Sequence, residues 1–386
     1  YANLYNSGSW LYRAAVDRIA IDCFRRGYKW VADNDDISKI ELVQKRHQIV
    51  DKKQQALQLA RLDGEGYLYF DDGGKADKEL TIETAGDLRF VNVIRGNSLS
   101  KLEKDNDPLS LYYGQPKMYR FGNIDVHPSR ICRFVANRDP STGDGVLTLQ
   151  IVAEIIQKTN CTRDHIVDLV GEARIDVIKT PGLMDAVSDD EGREAMQRKV
   201  ETTAGMKTNL AILLMDKEED YEQKSSSFAT LPDILESMRR EVSAALEIPH
   251  AVLFGREGGL GTNGEMELVT YRDTIATMQK TMVEPACELL DALTVKTATG
   301  RVPDGTIYLE WLPLKQPTET EMQEIGDKIA TRHKTLIDAG FEREVLEGPT
   351  VNALVEAGVA PGLEESWADW LKGGKSTEDD NEEGDI

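Results

Sequence analysis

The sequence specifies an α+β protein that is mainly helical, and three observations lead there. Long segments carry apolar residues at helical spacing. Short alternating runs bounded by glycine and proline cluster in the first 140 residues. A compact strand–helix–strand insert sits between two long helical stretches.

Taken in order, residues 10–24 (WLYRAAVDRIAIDCF) place Leu11, Ala14, Ala15, Arg18, Ile19 and Cys23 on helical spacing. Asp36 is the expected cap of a second helix running from Ile37 through Leu62. Strands are expected in GYLYFDDGG, LRFVNVIRG, Met118–Phe121 and Ile131–Val135, which makes residues 1–140 a mixed region. From Gly145 the pattern predicts a helix of roughly 24 residues, about 36 Å long. The insert reads RIDVIKTPG as strand and turn, DDEGREAMQRKVETTAGM as helix, and NLAILLMDKEEDYEQKS as a strand entering a charged turn. LPDILESMRREVSAALEI is helical, with Pro232 in its first turn. A glycine-rich stretch follows, and then a long helix from about Glu265 to Leu293. TIYLEWLPL reads as a strand, a start signal stands at 317–319, and helices cover EMQEIGDKIATRHKTLIDAG and PTVNALVEAG. The last residues, KSTEDDNEEGDI, are acidic and apolar-poor, which predicts disorder.

With 386 residues the chain has room for two or three domains, and its formal net charge is −22. So acidic a body resists sticking to duplex DNA, which carries a charge about every 1.7 Å. Four cysteines, Cys23, Cys132, Cys161 and Cys287, form no CxxC pair and read as thiols in a reducing compartment. No run is long enough to span a bilayer and no signal peptide is visible, so the chain reads as cytosolic.

The glycine stretch GREGGLGTNG contains a formal G-x-G-x-x-G at Gly259, Gly261 and Gly264. A dinucleotide site needs a strand before it, and a second strand ending in an acid about 20 residues on. Here the downstream sequence stays helical through that position, so a loop between two helices is preferred. There is no Walker lysine and no G-x-S-x-G elbow. The five histidines lack metal-ligand spacing, and His127 and His250, each beside a proline, read as structural. Arg239 and Arg240 read as ion-pairing surface residues. No cofactor, metal or catalytic residue is expected.

Three stretches carry a family resemblance. ARLDGEGYLYFDDG passes from helix to strand through small residues. DPLSLYYGQPKMYRF with IDVHPSRICRF, and FATLPDILESMRREVSAALEIPHAVLFGREGGLGTNGEMELVTYRDTIATMQ, supply the rest. With the order of elements, these resemble the portal proteins of tailed bacteriophages, closest to a subgroup long known only as phage-related proteins. The similarity runs from about residue 4 to 315.

The resemblance implies a portal-type fold with wing, stem, clip and crown regions, assembled as a ring. It implies a wing at 1–145, stem helices at 146–171 and 229–247, and a clip at 172–228. A tunnel loop at 248–264, a long helix returning to the wing at 265–317, a crown at 318–372 and an acidic tail at 373–386 complete it. It implies a non-enzymatic homo-oligomer, usually a dodecamer, at one capsid vertex of the virion, assembled in the host cytoplasm. Implied partners are the terminase large subunit, head-tail adaptor proteins, the major capsid protein, and double-stranded DNA held weakly and non-specifically; no membrane is involved. Arg256, Gly258, Gly259, Gly261, Thr262 and Asn263 would approach the DNA, or pack on a neighbouring subunit. Lys179, Arg193, Arg198, Lys199 and Lys207 would meet clip partners. The rivals are a nucleotide-binding enzyme built on Gly259–Gly264 and another structural head-tail adaptor.

Overall fold

A computed structural model describes residues 1–110, 113–171, 174–179, 190–210, 220–225, 230–255, 262–315, 318–360 and 362–363. The chain forms two compact units, one spanning Tyr1–Leu312 and one from Pro313 onward.

The larger unit opens with a single turn, α1 (Ala2–Tyr5), and then α2 (Trp10–Phe24), which buries Leu11, Ala15, Ile19 and Cys23 as its spacing predicts. After β1 (Tyr28–Val31), the single helix expected from Asp36 is instead two, α3 (Asn34–His47) and α4 (Ile49–Asp63). Gln48 breaks them by taking the left-handed conformation, φ +53°. The halves bury different faces: Ile40 of α3 packs with Trp30, Val295 and Ile307, while α4 packs against α2 and β2. The cap of α3 is Asp33, and Asp36 lies buried in the first turn, bonded to Arg301.

β2 (Glu65–Asp71) is the middle of an antiparallel sheet between β3 (Phe90–Arg95) and β7 (Ile131–Val135). Helix α4 lies close on it because residue 66 is glycine. A Cβ there would stand 2.0 Å from the Ala56 carbonyl oxygen. A smaller sheet joins β4 (Ser100–Lys101), β5 (Tyr119–Phe121) and β6 (Ile124–Val126).

α5 (Thr148–Gly171) buries Leu149, Val152, Ile156 and Thr159 in its first half. β8 (Arg174–Lys179) pairs antiparallel with β9 (Asp220–Ser225), and α6 (Asp190–Leu210) lies between them in sequence. Of the strand expected from Asn209, Asn209 and Leu210 end α6 and residues 211–219 lie outside the described residues, while β9 falls in the part read as a charged turn. α7 (Leu231–Leu246) packs on α5, with Pro232 in its first turn.

The long helix beyond the glycines comes in two pieces, α9 (Thr262–Met278) and α10 (Glu284–Thr299), after the short α8 (His250–Leu253). Gln279–Val283 between them forms a π turn. Pro285 accounts for it: proline has no N–H for the carbonyl four residues back, and its ring crowds that oxygen. The Gln279 side chain, buried, donates 2.6 Å to the Cys23 carbonyl. α10 packs on α3, and β10 (Tyr308–Trp311) pairs with β1, so residues far apart in sequence close one body.

Several charged groups buried in this unit are ion-paired. Lys53, 1% exposed, bonds both Asp291 oxygens at 2.7 and 2.9 Å. Burial pulls the lysine pKa down, but the Asp291 charge prevails and holds it well above its usual value. Glu65 accepts from Lys101 (2.8 Å), Arg133 (2.5 Å) and the Tyr67 hydroxyl. Burial raises its pKa, yet those hydrogen bonds outweigh it and hold the carboxyl at about 2. Arg130 reaches Asp72 at 2.6 Å and the Lys78 carbonyl at 2.9 Å.

In the smaller unit α11 (Glu319–Asp338) begins with a capping box between Thr318 and Glu321 and packs on α12 (Arg343–Glu356). α12 was expected to begin at Pro349; it begins six residues earlier and holds Pro349 inside it. The disorder expected at 373–386 falls outside the described residues.

Candidate functional site: the anchors of the glycine-rich segment

The segment singled out by its glycines hangs between α7 and α9, and the structure defines what holds each end. At the near end Glu247 turns left-handed, φ +56°, and its N–H bonds carbonyls in the last turn of α7. Ile248 is then fully buried, and Pro249 starts the single turn α8. Gly255 follows at φ +90°, a conformation that favours glycine.

Aromatic and charged side chains clamp this turn. His250 stacks on Phe254 with centroids 5.0 Å apart, and Trp10 of α2 meets Phe254 edge-on at 5.5 Å. The Arg239 guanidinium lies 5.8 Å from the same ring. Glu236 gathers the surrounding charge, with Arg240 at 3.2 Å, His250 at 3.4 Å and Arg239 at 4.0 Å. Arg239 and Arg240 are therefore ion-paired, as their setting in an acidic chain suggests. At the far end Tyr271 of α9 donates 2.7 Å to Asp22, which also holds Arg18 and Arg25.

Arg256, Gly258, Gly259 and Gly261 lie outside the described residues. Thr262 and Asn263, expected in the loop, form the first turn of α9. Of the five expected clip contacts, Arg193 and Arg198 are exposed on α6, and Arg193 bonds Asp190 at 2.7 Å. Arg198 donates to the Glu194 carbonyl. Lys199 and Lys207 sit on the same helix and Lys179 ends β8, opposite Asp220 in the ladder. No described contact gathers the five into one site.

Glu236 and Trp10 were not singled out by sequence. Glu236 had a signal, because it lies three and four residues before Arg239 and Arg240 on one helix face. Trp10 had none, being remote in the chain. His127 is structural: its Nδ1 accepts from the Ser129 N–H at 3.2 Å, and Ser129 Oγ accepts from the Leu80 N–H at 2.7 Å. Burial lowers its pKa. Cys23, Cys132 and Cys287 are buried free thiols and Cys161 is an exposed one. Among the described residues no group of histidine, cysteine and carboxylate side chains could hold a metal. No described helix is long and apolar enough to cross a membrane. Among the described residues the site is a braced joint whose arginines are ion-paired.

A relative called Anti-CBASS protein Acb1, from Caulobacter sp. (strain RHG1), is 31% identical over 94% of this chain and 62% of its own length. A protein of the same name from Sphingomonas paeninsulae is 27% identical over 92% of this chain and 61% of its own. The chain thus spans less than two thirds of these relatives. Among solved structures, a chain in the neck of a native GTA particle computed with C12 symmetry aligns with TM-score 0.50. It is 14% identical and matched over 84% of this chain and 86% of that one, a likeness of fold alone. The phage portal protein pattern matches residues 1–335, nearly the whole of the described chain, and the protein belongs to the phage portal protein family.

Proposed function

We propose that this protein is a portal subunit, a homo-oligomeric ring at one capsid vertex through which double-stranded DNA is packaged and ejected. The observation that carries the reading is the family match over residues 1–335. In this reading α5 and α7 are stem helices, residues 172–228 the clip, 248–264 the tunnel loop, and 318–372 the crown. The terminase large subunit and the head-tail adaptors dock on the clip in turn, and the major capsid protein surrounds the ring. Twelve copies are expected, in virions and, during assembly, in the host cytoplasm.

The electrostatics support a conduit. Each phosphate neutralised by a lysine or arginine adds to DNA affinity and would slow translocation. The net charge is −22, and Arg239 and Arg240, on the helix that leads toward the glycine segment, are held by Glu236. The braced joint at His250–Phe254 fixes where the chain enters that segment. This reading includes no catalytic step and no cofactor.

The experiment is assembly state. Purified protein in negative stain or mass photometry is expected to show rings with a central hole and about a dozen subunits. Monomers or dimers under every condition would sink the proposal. Deleting Gly258–Gly264 is expected to leave rings intact and impair DNA packaging or retention. The relatives' name raises a second reading, anti-CBASS activity, favoured by 31% identity over most of this chain. Expression of this chain is expected to leave CBASS activity unchanged, and its loss would support that second reading.

A further inference from the structure

Two exposed helix faces of the larger unit match each other. One is on α9, where Met266 and Val269 are 67% and 47% exposed. Thr270 and Thr274 continue the line, and their hydroxyls donate back to the carbonyls of Met266 (3.1 Å) and Thr270 (3.0 Å). Their donor protons are thus already committed to the helix backbone, which leaves a surface of low polarity. Charge flanks this apolar centre: Glu265 and Asp273, both exposed, lie one turn either side of Val269. The only basic residue of α9, Arg272, is half-buried. The opposite face is used within the chain, since Tyr271 and Ile275 are buried.

The other face is on α3. Leu42 is 69% exposed, with Lys39 one turn before it and Lys45 and Arg46 one turn after, all exposed. Among the described residues Lys39 lies 3.9 Å from the buried Asp36, which Arg301 also holds, and Lys45 lies 3.5 Å from the exposed Glu41. Such pairs are weak and readily exchanged. Opposite this face, Ile40 is buried in the cluster with Trp30 and Val295. Each face therefore has an apolar residue at its centre and charges one turn to either side, acidic on α9 and basic on α3.

We propose that α9 of one copy docks on α3 of the next, Val269 against Leu42, with Glu265 and Asp273 meeting Lys39, Lys45 and Arg46. The contact uses two different faces, so each added copy leaves one of each free, and it propagates until a ring closes. The proposal rests on the ring reading and names one of its subunit contacts. Passing DNA is the poorer occupant: the acids repel phosphate and exposed methionine and valine offer it no hydrogen bond. The patch is one part of the interface, since a stable contact buries on the order of 1,600 Å² in total.

The test is disulfide trapping in the full chain, with the exposed Cys161 first changed to alanine. Leu42→Cys combined with Val269→Cys is expected to give a ladder of cross-linked oligomers on non-reducing denaturing gels after mild oxidation with copper phenanthroline. Each single variant is expected to give none. As a second arm, Asp273→Lys is expected to lower the ring fraction at micromolar concentration at least tenfold, and adding Lys45→Glu to restore it. Wild-type rings without a ladder would overturn the docking and spare the ring reading; wild-type protein that never forms rings would overturn both. Normal rings from Asp273→Lys with altered DNA retention would place this face toward DNA and also overturn it.

Discussion

Around β2 the chain pairs its own charges: Lys53 with Asp291, Glu65 with Lys101 and Arg133, and Arg130 with Asp72. The outer half of α5 is the reverse. Beyond Thr159 no described side chain of that helix is buried, and Val167 and Leu169 are 64% and 50% exposed. Its neighbour α7 likewise leaves Ile234 45% exposed. The first region is complete within one chain. The second has apolar side chains that stand exposed among the described residues. Mutations should therefore reveal themselves as lost stability in one region and as lost assembly in the other.

The largest effect is expected where a partner is removed from a buried charge. Asp291→Ala leaves Lys53 buried and unpaired, and should destabilise the larger unit by about 3–5 kcal/mol in urea titration. A loss under about 1 kcal/mol would mean water reaches Lys53 and the body is less closed than described. Acid gives the next effect. Glu65 has a folded-state pKa of about 2 against an ordinary 4.5. The unfolded chain therefore takes up its proton first as pH falls, so this stabilisation is full above about pH 4.5 and fades toward pH 2. Glu65→Gln should be less stable at neutral pH and show a flatter acid limb in pH-dependent denaturation. An unchanged limb would remove Glu65 from that role.

Gly66→Ala should come third, at about 1–3 kcal/mol, because its Cβ would overlap the Ala56 carbonyl and push α4 off the sheet. A neutral result would show the α4–β2 contact to be adjustable. The smallest effect is expected on the outer end of α5. Val167→Gln with Leu169→Gln should change stability by no more than about 0.5 kcal/mol in the same urea titration. A larger loss would show this end to be buried by its own chain, and would erase the contrast.

Local chemistry was legible in the sequence where it acts within a few residues. The spacing of Leu11, Ala15 and Ile19 gave α2, and the start signal at 317–319 became the capping box at Thr318. The break at Gln48 was not legible, since glutamine has no turn preference and takes its left-handed φ because two helices need different faces. Nor was the β1–β10 pairing, which depends on residues at opposite ends of the larger unit. At the glycine segment, sequence reasoning reached the ion-paired arginines, whereas His250, read as a hydrogen-bonding residue, stacks on Phe254 and its buried Nε2 makes no hydrogen bond among the described residues. The clamp on Phe254 escaped it, because Trp10 comes from α2 and no periodicity links the two.

The π turn at Gln279–Val283 also fixes an angle. Each residue advances an α-helix by about 100°. The extra residue in that turn therefore sets the rotational phase of α9 against α10. Winding the same five residues as regular α-helix would turn everything upstream by much of that angle. Tyr271 would leave Asp22, and the threonine face would swing to a different bearing. One inserted residue thus acts as an indexing step, deciding which way a long rod presents its sides.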